Sequence, residues 1–186
     1  MLKRILIGYI FLLCAQPTMA QFDTAAVKRN IVNQSDSMFI AFNNSDWKNF
    51  TDYMHPEIIK KANGKEAFIQ LLDSEIKQLK GLTFTGYKHT GNIQIVAAGK
   101  TLQCVVIYGL EMMIDSTVVS GASTSIGEST DNGITWKFIR NNSTSLEQLY
   151  AQFPWISTSL KISKEQQAFN VSLPDFLKTY QPVYFK

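Results

Sequence analysis

Apolar residues recur with a helical period through the first third of the chain. Between residues 24 and 44, one stripe of a 3.6-residue repeat carries Val27, Ile31, Met38 and Phe42. Ser35 lies in the same stripe, where a small side chain allows close packing or faces a cavity. A second, shorter stripe starts near Ser45 or Asp46, ends before Pro56, and comprises Trp47, Phe50 and Met54. A third stripe, in residues 65–80, comprises Phe68, Leu71, Leu72, Ile76 and Leu79. The pattern therefore predicts three amphipathic helices.

After Gly81 the pattern changes to short runs rich in β-branched and aromatic residues. The runs predict strands at residues 82–88, 92–97, 101–115, 117–128 and 134–140. Turn residues separate them, including Thr90-Gly91-Asn92 and Asp131-Asn132-Gly133. Helices followed by an antiparallel meander predict an α+β domain with helices packed on one face of a sheet. In the longest run, LQCVVIYGL, both phases are apolar, so periodicity does not decide which phase faces the helices.

Residues 141–186 form an extension with a different pattern. Ser145 and Gln148 form a capping box before a short helix that Pro154 ends. Residues 163–169 have a weaker helical pattern, and prolines then separate an aromatic tail. The apolar content of this extension predicts that it packs on the domain or on a partner.

The N-terminus has the order of a secretory signal. Lys3 and Arg4 precede the apolar run 5–15, and Thr18-Met19-Ala20 supplies a small-residue cleavage site. We expect cleavage after Ala20 and a secreted or periplasmic protein with no stable membrane anchor. An uncleaved anchor is the alternative. Lipid attachment at Cys14 is disfavoured because Leu13 is large.

Composition excludes several classes of site. Of the 18 basic residues two lie in the signal segment, which leaves 16 against 15 acidic residues and a net charge of +1. The basic residues form no patch in the sequence, so nucleic-acid binding is not predicted. Cys104 is the one cysteine of the mature chain and lies in an apolar run, so we expect a buried, inert thiol and no intrachain disulfide. Two histidines and one cysteine without close spacing predict no metal site, and no motif predicts a cofactor.

Several soft motifs accompany this order of elements. Asp46-Trp47 opens the second helix, Tyr53-x-His55-Pro56 ends it, Gly64 precedes the third, and Trp136 lies on the last strand. Over about residues 23–140, the chain resembles the NTF2-like superfamily, whose SnoaL-like and ketosteroid-isomerase-like members have a cystatin-like α+β fold. The resemblance implies a cone of N-terminal helices on a curved antiparallel sheet that encloses a pocket. The superfamily includes isomerases, polyketide cyclases, dehydratases and non-enzymatic binding modules.

The resemblance implies a pocket lined by Trp47, Tyr53, His55, Tyr108 and Trp136. In the enzymes a carboxylate base and a tyrosine or acid donor lie inside the cone. Here such groups would come from Tyr53, His55, Tyr108, Glu111 and Asp115, with His55, Glu111 and Asp115 as catalytic candidates.

Each catalytic candidate also has a structural interpretation. His55 is a base, or it ends a helix before proline. Glu111 is an acid or base if it points inward, and a surface residue if it points outward. Tyr108 lies on the opposite strand phase from Glu111, and His89, beside a predicted turn, is expected to be exposed to solvent.

One further motif is more specific. Ser129-x-Asp131-x-Gly133-x-Thr135-Trp136 matches the Asp-box of sialidases and related propellers residue by residue. It occurs once, in a chain too short for a propeller. We therefore interpret it as a hairpin turn with local hydrogen bonds and no catalytic role.

The sequence favours a secreted, non-catalytic NTF2-like module that binds a small apolar ligand or a partner protein. The alternative is a small enzyme of the ketosteroid isomerase or polyketide cyclase type, which Glu111 or Asp115 pointing inward beside Tyr53 or His55 would favour. A third hypothesis is an accessory domain of an envelope assembly that binds through its aromatic tail. A homodimer through the sheet is a further expectation from the resemblance.

Overall fold

A computed structural model describes residues 23–78, 81–141 and 145–185. The expected cleavage after Ala20 lies outside these residues. The N-terminal half contains the helices α1 (Thr24–Asn43), α2 (Trp47–Tyr53), α3 (Pro56–Lys61) and α4 (Lys65–Gln78). The strands are β1 (Leu82–Ala98), β2 (Thr101–Ile114), β3 (Thr117–Ser129) and β4 (Lys137–Arg140). The C-terminal extension adds α5 (Leu146–Gln152), β5 (Gln166–Phe169) and α6 (Leu173–Thr179). Within the described ranges, no helix is both long enough and apolar enough to cross a membrane.

Side-chain caps define where the first helices begin. The Asp23 carboxylate accepts hydrogen bonds from the backbone amides of Ala25 and Ala26, and Asp46 accepts one from Asn49. Pro56 both ends α2 and opens α3, because proline is well tolerated in the first turn of a helix. The sequence pattern did not predict α3, which is only six residues long.

The sheet confirms the α+β class, with the helices preceding a curved antiparallel sheet. Its order is β1-β2-β3-β4, and β5 also pairs with β3. The prediction of two strands at 82–88 and 92–97 was wrong, because β1 runs through both. Residues 90–92 form a bulge in β1, opposite Ile107 alone. The Thr90 hydroxyl donates to the Ile107 carbonyl at 2.8 Å, which holds the two strands together across the bulge.

Both faces of the sheet are buried, and this explains the apolar character of both phases of β2. Its even-numbered residues from Leu102 to Leu110 pack with α1 and Trp136 in a helix-side cluster. Val105 and Ile107 point the other way and pack with the extension in an extension-side cluster, which also contains Leu149, Phe153 and Ile162. The molecule therefore has three layers: helices, sheet and C-terminal extension.

The extension is fixed to the sheet by a strand and by its last residues. The expectation of a helix at 163–169 was wrong, since Gln166–Phe169 is β5 and Ala168 pairs with Ser120. Near the C-terminus, the Lys164 amide donates to the Val183 carbonyl at 2.7 Å, and the Phe185 amide donates to Ile162 at 3.0 Å. The extension covers the sheet face that a second copy would need for face-to-face pairing.

The apolar stripe of α4 is less buried than its pattern suggests. Phe68 is buried, whereas Leu71 is 49% exposed. Leu72 and Ile76 are half-buried, and Leu79 lies outside the described residues.

Candidate functional site

A cavity of about 110 Å³ lies between the helices and the sheet. We call it the helix-side cavity. Its wall is formed by the C-terminal half of α1, by α2 and the residue that follows it, by the first half of β1, and by β2, β3 and β4. The lining residues are Ser35, Met38, Phe39, Phe42, Phe50, Met54, Phe84, Tyr87, Tyr108, Leu110, Ser125, Phe138, Ile139 and Arg140.

Aromatic packing holds the wall between α1 and β1. The Phe39 ring stacks on Tyr87 with centroids 4.1 Å apart, and the edge of Phe42 meets Phe84 at 5.2 Å. Such pairs add roughly 0.5–1.5 kcal/mol beyond the area that they bury. Met38 and Met54 also line the cavity, and their unbranched, flexible side chains can fill irregular space in its wall.

Four polar residues meet at one side of this cavity: Ser35, Asp36, Tyr87 and His89. We call them the polar cluster. The His89 Nε2 atom lies 2.8 Å from Asp36 Oδ1, 3.1 Å from the Tyr87 hydroxyl and 3.2 Å from Ser35 Oγ. An ionised carboxylate only accepts hydrogen bonds, so Nε2 carries the proton that it donates to Asp36. Ser35 and Tyr87 lie in the cavity wall, and His89 lies behind them.

Burial sets the protonation of the tyrosine in this cluster. Burial raises the pKa of Tyr87 well above its ordinary value, and the negative charge of Asp36 raises this pKa further. A hydrogen bond from Ser35 lowers the pKa but does not outweigh burial. Tyr87 therefore keeps its proton at neutral pH. It offers the cavity a hydrogen-bonding hydroxyl and not a phenolate.

A second phenol lies beside the first. Tyr108 is 8% exposed, and its ring centroid lies 5.5 Å from that of Tyr87. Its hydroxyl accepts a hydrogen bond from Ser125 Oγ at 3.2 Å, so its own proton is available to a ligand acceptor. The cavity thus combines a mainly apolar wall with a few hydroxyl groups and with Arg140, whose guanidinium pairs with Glu165 at 3.1 Å.

The structure places the five residues expected in the pocket in different surroundings. Tyr108 lines the cavity. Trp47 lies behind the lining residues Phe42 and Phe50, whose centroids are 5.7 and 6.3 Å from its ring. Tyr53 packs half-buried against the helix-side cluster, and Trp136 is fully buried in that cluster.

His55, the fifth expected lining residue, lies outside the cavity and uses both ring nitrogens on structural partners. Its Nδ1 accepts from the Glu57 amide at 3.3 Å and caps α3, and its Nε2 lies 3.1 Å from Glu128. The ring stacks on Trp155 with centroids 4.2 Å apart, which fixes the extension to the end of α2. This arrangement favours the structural interpretation of His55.

The two acidic candidates also lie away from the cavity. Glu111 points to the extension side, where its carboxylate accepts from the Leu173 amide at 2.7 Å and from the Thr85 hydroxyl at 2.9 Å. Asp115 is exposed in the turn between β2 and β3. Neither carboxylate lies beside Tyr53 or His55, and Glu111 serves to cap the first turn of α6.

His89 was expected to be exposed, and this expectation was wrong. Its side chain is 15% exposed because the predicted turn at 90–92 is a bulge within β1, so the strand holds His89 beneath α1. Two features of the sequence pointed to the polar cluster. Tyr87 and His89 are two residues apart and share a strand face, and Ser35 interrupts an apolar stripe. Nothing local indicated that these elements face each other.

The Asp-box sequence forms the expected loop between β3 and β4. The Asp131 carboxylate accepts from the Thr135 amide at 2.8 Å and from the Thr135 hydroxyl at 2.6 Å. Asn30 and Gln34 of α1 donate to the carbonyls of Gly133 and Ile134 at 2.9 and 2.8 Å. None of these loop residues lines the helix-side cavity.

Comparison of the chain with protein-family models, with curated proteins and with solved structures finds no match. Within residues 23–78, 81–141 and 145–185, no group of three or more His, Cys, Asp or Glu side chains is placed to hold a metal ion. Burial raises the pKa of Cys104, whose thiol is fully enclosed in the helix-side cluster.

Proposed function

We propose that this chain is an exported NTF2-like module that binds a small apolar ligand in the helix-side cavity without converting it. The observation that carries the proposal is the cavity wall, in which nine of the fourteen lining residues are Met, Phe, Leu or Ile. Ligand sites combine such walls with a few polar groups that fix orientation. Tyr87, Tyr108 and Ser125 supply those groups here. The sequence left two occupants open, a small ligand and a partner protein. We argue for the ligand because the cavity offers it a small concave site with a mainly apolar wall.

The size of the cavity limits the ligand. An apolar cavity of about 150 Å³ holds one benzene molecule. A volume of about 110 Å³ therefore suits a single ring or a short aliphatic segment, with Met38 and Met54 yielding space by changing rotamer.

Export is proposed from the N-terminal segment alone. We expect the secreted or periplasmic protein to begin at Gln21, because the charged, apolar and small-residue regions are in the order that signal peptidase requires. The intact mass of the exported protein tests whether it begins at Gln21. A mass that retains residues 1–20, or a lipid on Cys14, would contradict it.

Toluene and p-cresol are suitable probes of the cavity. In methyl NMR we expect them to shift the Met38 and Met54 resonances. Leu110→Trp fills the cavity and should abolish these shifts, whereas Met113→Trp, on the exposed end of the same strand, should preserve them. Native mass spectrometry of freshly purified protein checks for a bound ligand. Two results would contradict the proposal. One is that the unmodified protein binds neither probe and carries no ligand, and the other is that the two tryptophan variants bind the probes equally.

A small isomerase or cyclase-like enzyme is the second candidate, and the polar cluster is the observation that favours it. The His89–Asp36 pair lies directly behind the Tyr87 hydroxyl, the arrangement needed to pass a proton to or from a ligand. The raised pKa keeps Tyr87 protonated, so it suits the donor role and not that of the base. No carboxylate is among the described residues that line the cavity, and this opposes the enzyme candidate. We therefore rank binding above catalysis.

Deuterium exchange separates the two candidates. Cyclohexanone in D₂O acquires deuterium beside its carbonyl when a base removes a proton there. If the protein is catalytic, exchange should exceed the buffer rate, fall with Tyr87→Phe and His89→Gln, and be unchanged in His55→Gln, whose ring lies outside the cavity. Exchange at the buffer rate, together with probe binding, is the result that we expect.

A further inference from the structure

The dipeptide Asn-Gly occurs twice in the chain, at Asn63-Gly64 and at Asn132-Gly133. It is the dipeptide most prone to spontaneous deamidation, because glycine has no Cβ to obstruct the reaction. Both asparagines are exposed and have a positive φ, 64° for Asn63 and 60° for Asn132. The two sites therefore share their chemistry and their backbone region, and they differ in what surrounds them.

Deamidation needs a free backbone amide after the asparagine. The glycine nitrogen attacks the side-chain carbonyl carbon of asparagine, and the new C–N bond closes a succinimide ring. The side-chain nitrogen leaves as ammonia, which takes the proton of the attacking amide. Water then opens either C–N bond of the ring and gives aspartate or isoaspartate. A glycine amide that donates a hydrogen bond must first be released, so the rate follows the ease of local opening.

Several contacts hold the Asn132-Gly133 site closed. The Gly133 amide donates to the Ser129 hydroxyl at 2.8 Å, and this hydrogen bond is buried. The Gly133 carbonyl accepts from the Asn30 side chain at 2.9 Å and from the ring nitrogen of the fully buried Trp136 at 3.1 Å. To free the Gly133 amide, the loop must separate both from α1 and from the core.

The Asn63-Gly64 site, in contrast, closes a short helix. The Gly64 amide donates to the Ile59 carbonyl at 2.9 Å, and the Asn63 amide donates to the Lys60 carbonyl at 3.1 Å. These bonds complete the last turn of α3, which has six residues, none of them buried. Apart from its chain neighbours, no atom lies within 4 Å of the position where a Cβ on Gly64 would stand, so there is space for the succinimide ring. Fraying of a single turn frees this amide, and a helix this short resists fraying weakly.

We propose that Asn63 is a site of spontaneous deamidation in the folded protein and that the fold protects Asn132. The reaction places a carboxylate at the C-terminal end of α3, where the helix dipole is negative and opposes added negative charge. Isoaspartate also inserts one carbon into the backbone between α3 and α4. Because the Gly64 carbonyl accepts the Phe68 amide at 3.0 Å, both changes act on the first turn of α4 as well.

Peptide mapping by mass spectrometry tests the proposal on the full mature chain, incubated in mildly alkaline buffer, where deprotonation of the amide speeds the attack. In the folded protein Asn63 should deamidate at least about tenfold faster than Asn132, because the second site must break several more hydrogen bonds to open. In concentrated urea the two rates should converge, since the dipeptide is the same and the fold is gone. The control Asn63→Gln should prevent the loss of stability in urea that incubation causes in the unmodified protein.

Ser129→Ala provides a second variant, which removes the acceptor of the Gly133 amide. It should speed deamidation at Asn132 and leave the rate at Asn63 unchanged. Three results would each overturn the proposal. These are equal rates at the two sites in the folded protein, reaction at Asn63 in urea but not in the folded protein, and a rate at Asn132 that Ser129→Ala does not change. If Ser129→Ala fails to fold, the comparison of folded and urea-treated unmodified protein still decides.

Discussion

At the scale of single residues, Asp131 illustrates how a short motif stabilises a loop that lies outside the helix-side cavity. Burial alone would raise the pKa of this carboxyl. The hydrogen bonds from the side chain and backbone of Thr135, together with that from Ser129, outweigh the burial and hold the pKa below its ordinary value. The ionised carboxylate is therefore the form that the folded loop prefers.

Replacing Asp131 by Ala should lower the free energy of unfolding by about 1 kcal/mol through loss of these hydrogen bonds. The pKa is depressed in the folded state, so the stabilisation is fully present above the unfolded pKa and is lost as pH falls through the folded value. In urea titrations the difference between the unmodified protein and Asp131→Asn should be constant near neutrality and shrink below about pH 4. A difference that grows on acidification would refute this account.

Trp47 tests whether an aromatic residue close to the cavity belongs to the core. It is buried, packs edge-on against Phe42 and donates to Asp73 at 3.4 Å. Trp47→Ala should cost about 3–5 kcal/mol, as is usual for a buried tryptophan. Phe169→Ala, at a ring that is 63% exposed, should cost less than about 0.5 kcal/mol. Similar losses in denaturant melts of the two variants would mean that Trp47 does not carry core packing.

The roles of single residues could be predicted from the sequence where local geometry decides them. The position before Pro56 predicted a helix boundary at His55, and the order of residues around Gly133 predicted the loop. The polar cluster could not be predicted. It joins Asp36 to His89 across 53 positions, and only the packing of α1 on β1 brings them together.

At the scale of elements, the position of α6 depends on a strand residue without a side chain. A Cβ at Gly109 would lie 2.7 Å from a Leu173 methyl and 3.1 Å from one of Leu177. The φ angle of Gly109 is not in the left-handed region, so the requirement is for space and not for backbone freedom. Glu111, two residues along on the same face, caps the helix that this space admits.

Gly109→Ala should therefore destabilise the protein by about 1–3 kcal/mol through overpacking. Leu173→Ala alone should cost about 2–5 kcal/mol because it leaves a cavity. In the double variant the new methyl occupies part of that cavity. The double variant should therefore lose less stability than the sum of the losses in the two single variants. Full additivity in a double-mutant cycle would show that Gly109 and Leu173 do not meet.

Long elements followed the sequence pattern more closely than short ones. The 20-residue stripe of α1 and the length of β2 are strong signals. The four-residue strand β5 exists because β3 offers it hydrogen bonds, which no local pattern encodes. The helix α3 has only six residues, too few to show a helical period in the sequence. The turn-forming residues at 90–92 wrongly predicted a break between two strands. In the structure β1 continues through them, because the Thr90 hydroxyl donates to a carbonyl of the neighbouring strand β2.

At the scale of the whole molecule, the C-terminal extension takes the place that a second sheet or a second copy would otherwise fill. Val105, Ile107, Ala122, Ile126 and Ile139 are each at most 3% exposed on that face. Burying one such Val or Ile side chain contributes about 1.5–3 kcal/mol. Together these contributions are comparable with the net stability of a domain of this size, about 5–15 kcal/mol.

A mature chain ending at Arg140 should therefore lose its monomeric folded state. Removing the extension exposes the five side chains just named, and a contiguous apolar face of this kind drives association or unfolding. Size-exclusion chromatography with light scattering should show the full mature chain as a monomer and the truncated chain as aggregates or dimers. A separately made peptide of residues 141–186 should restore a one-to-one complex of monomer mass, because β5 and α6 regain their sites on the sheet. If the truncated chain stays monomeric and unfolds at the same urea concentration as the full chain, the extension is not the third layer of the core, and the sheet face must be stable in water by other means.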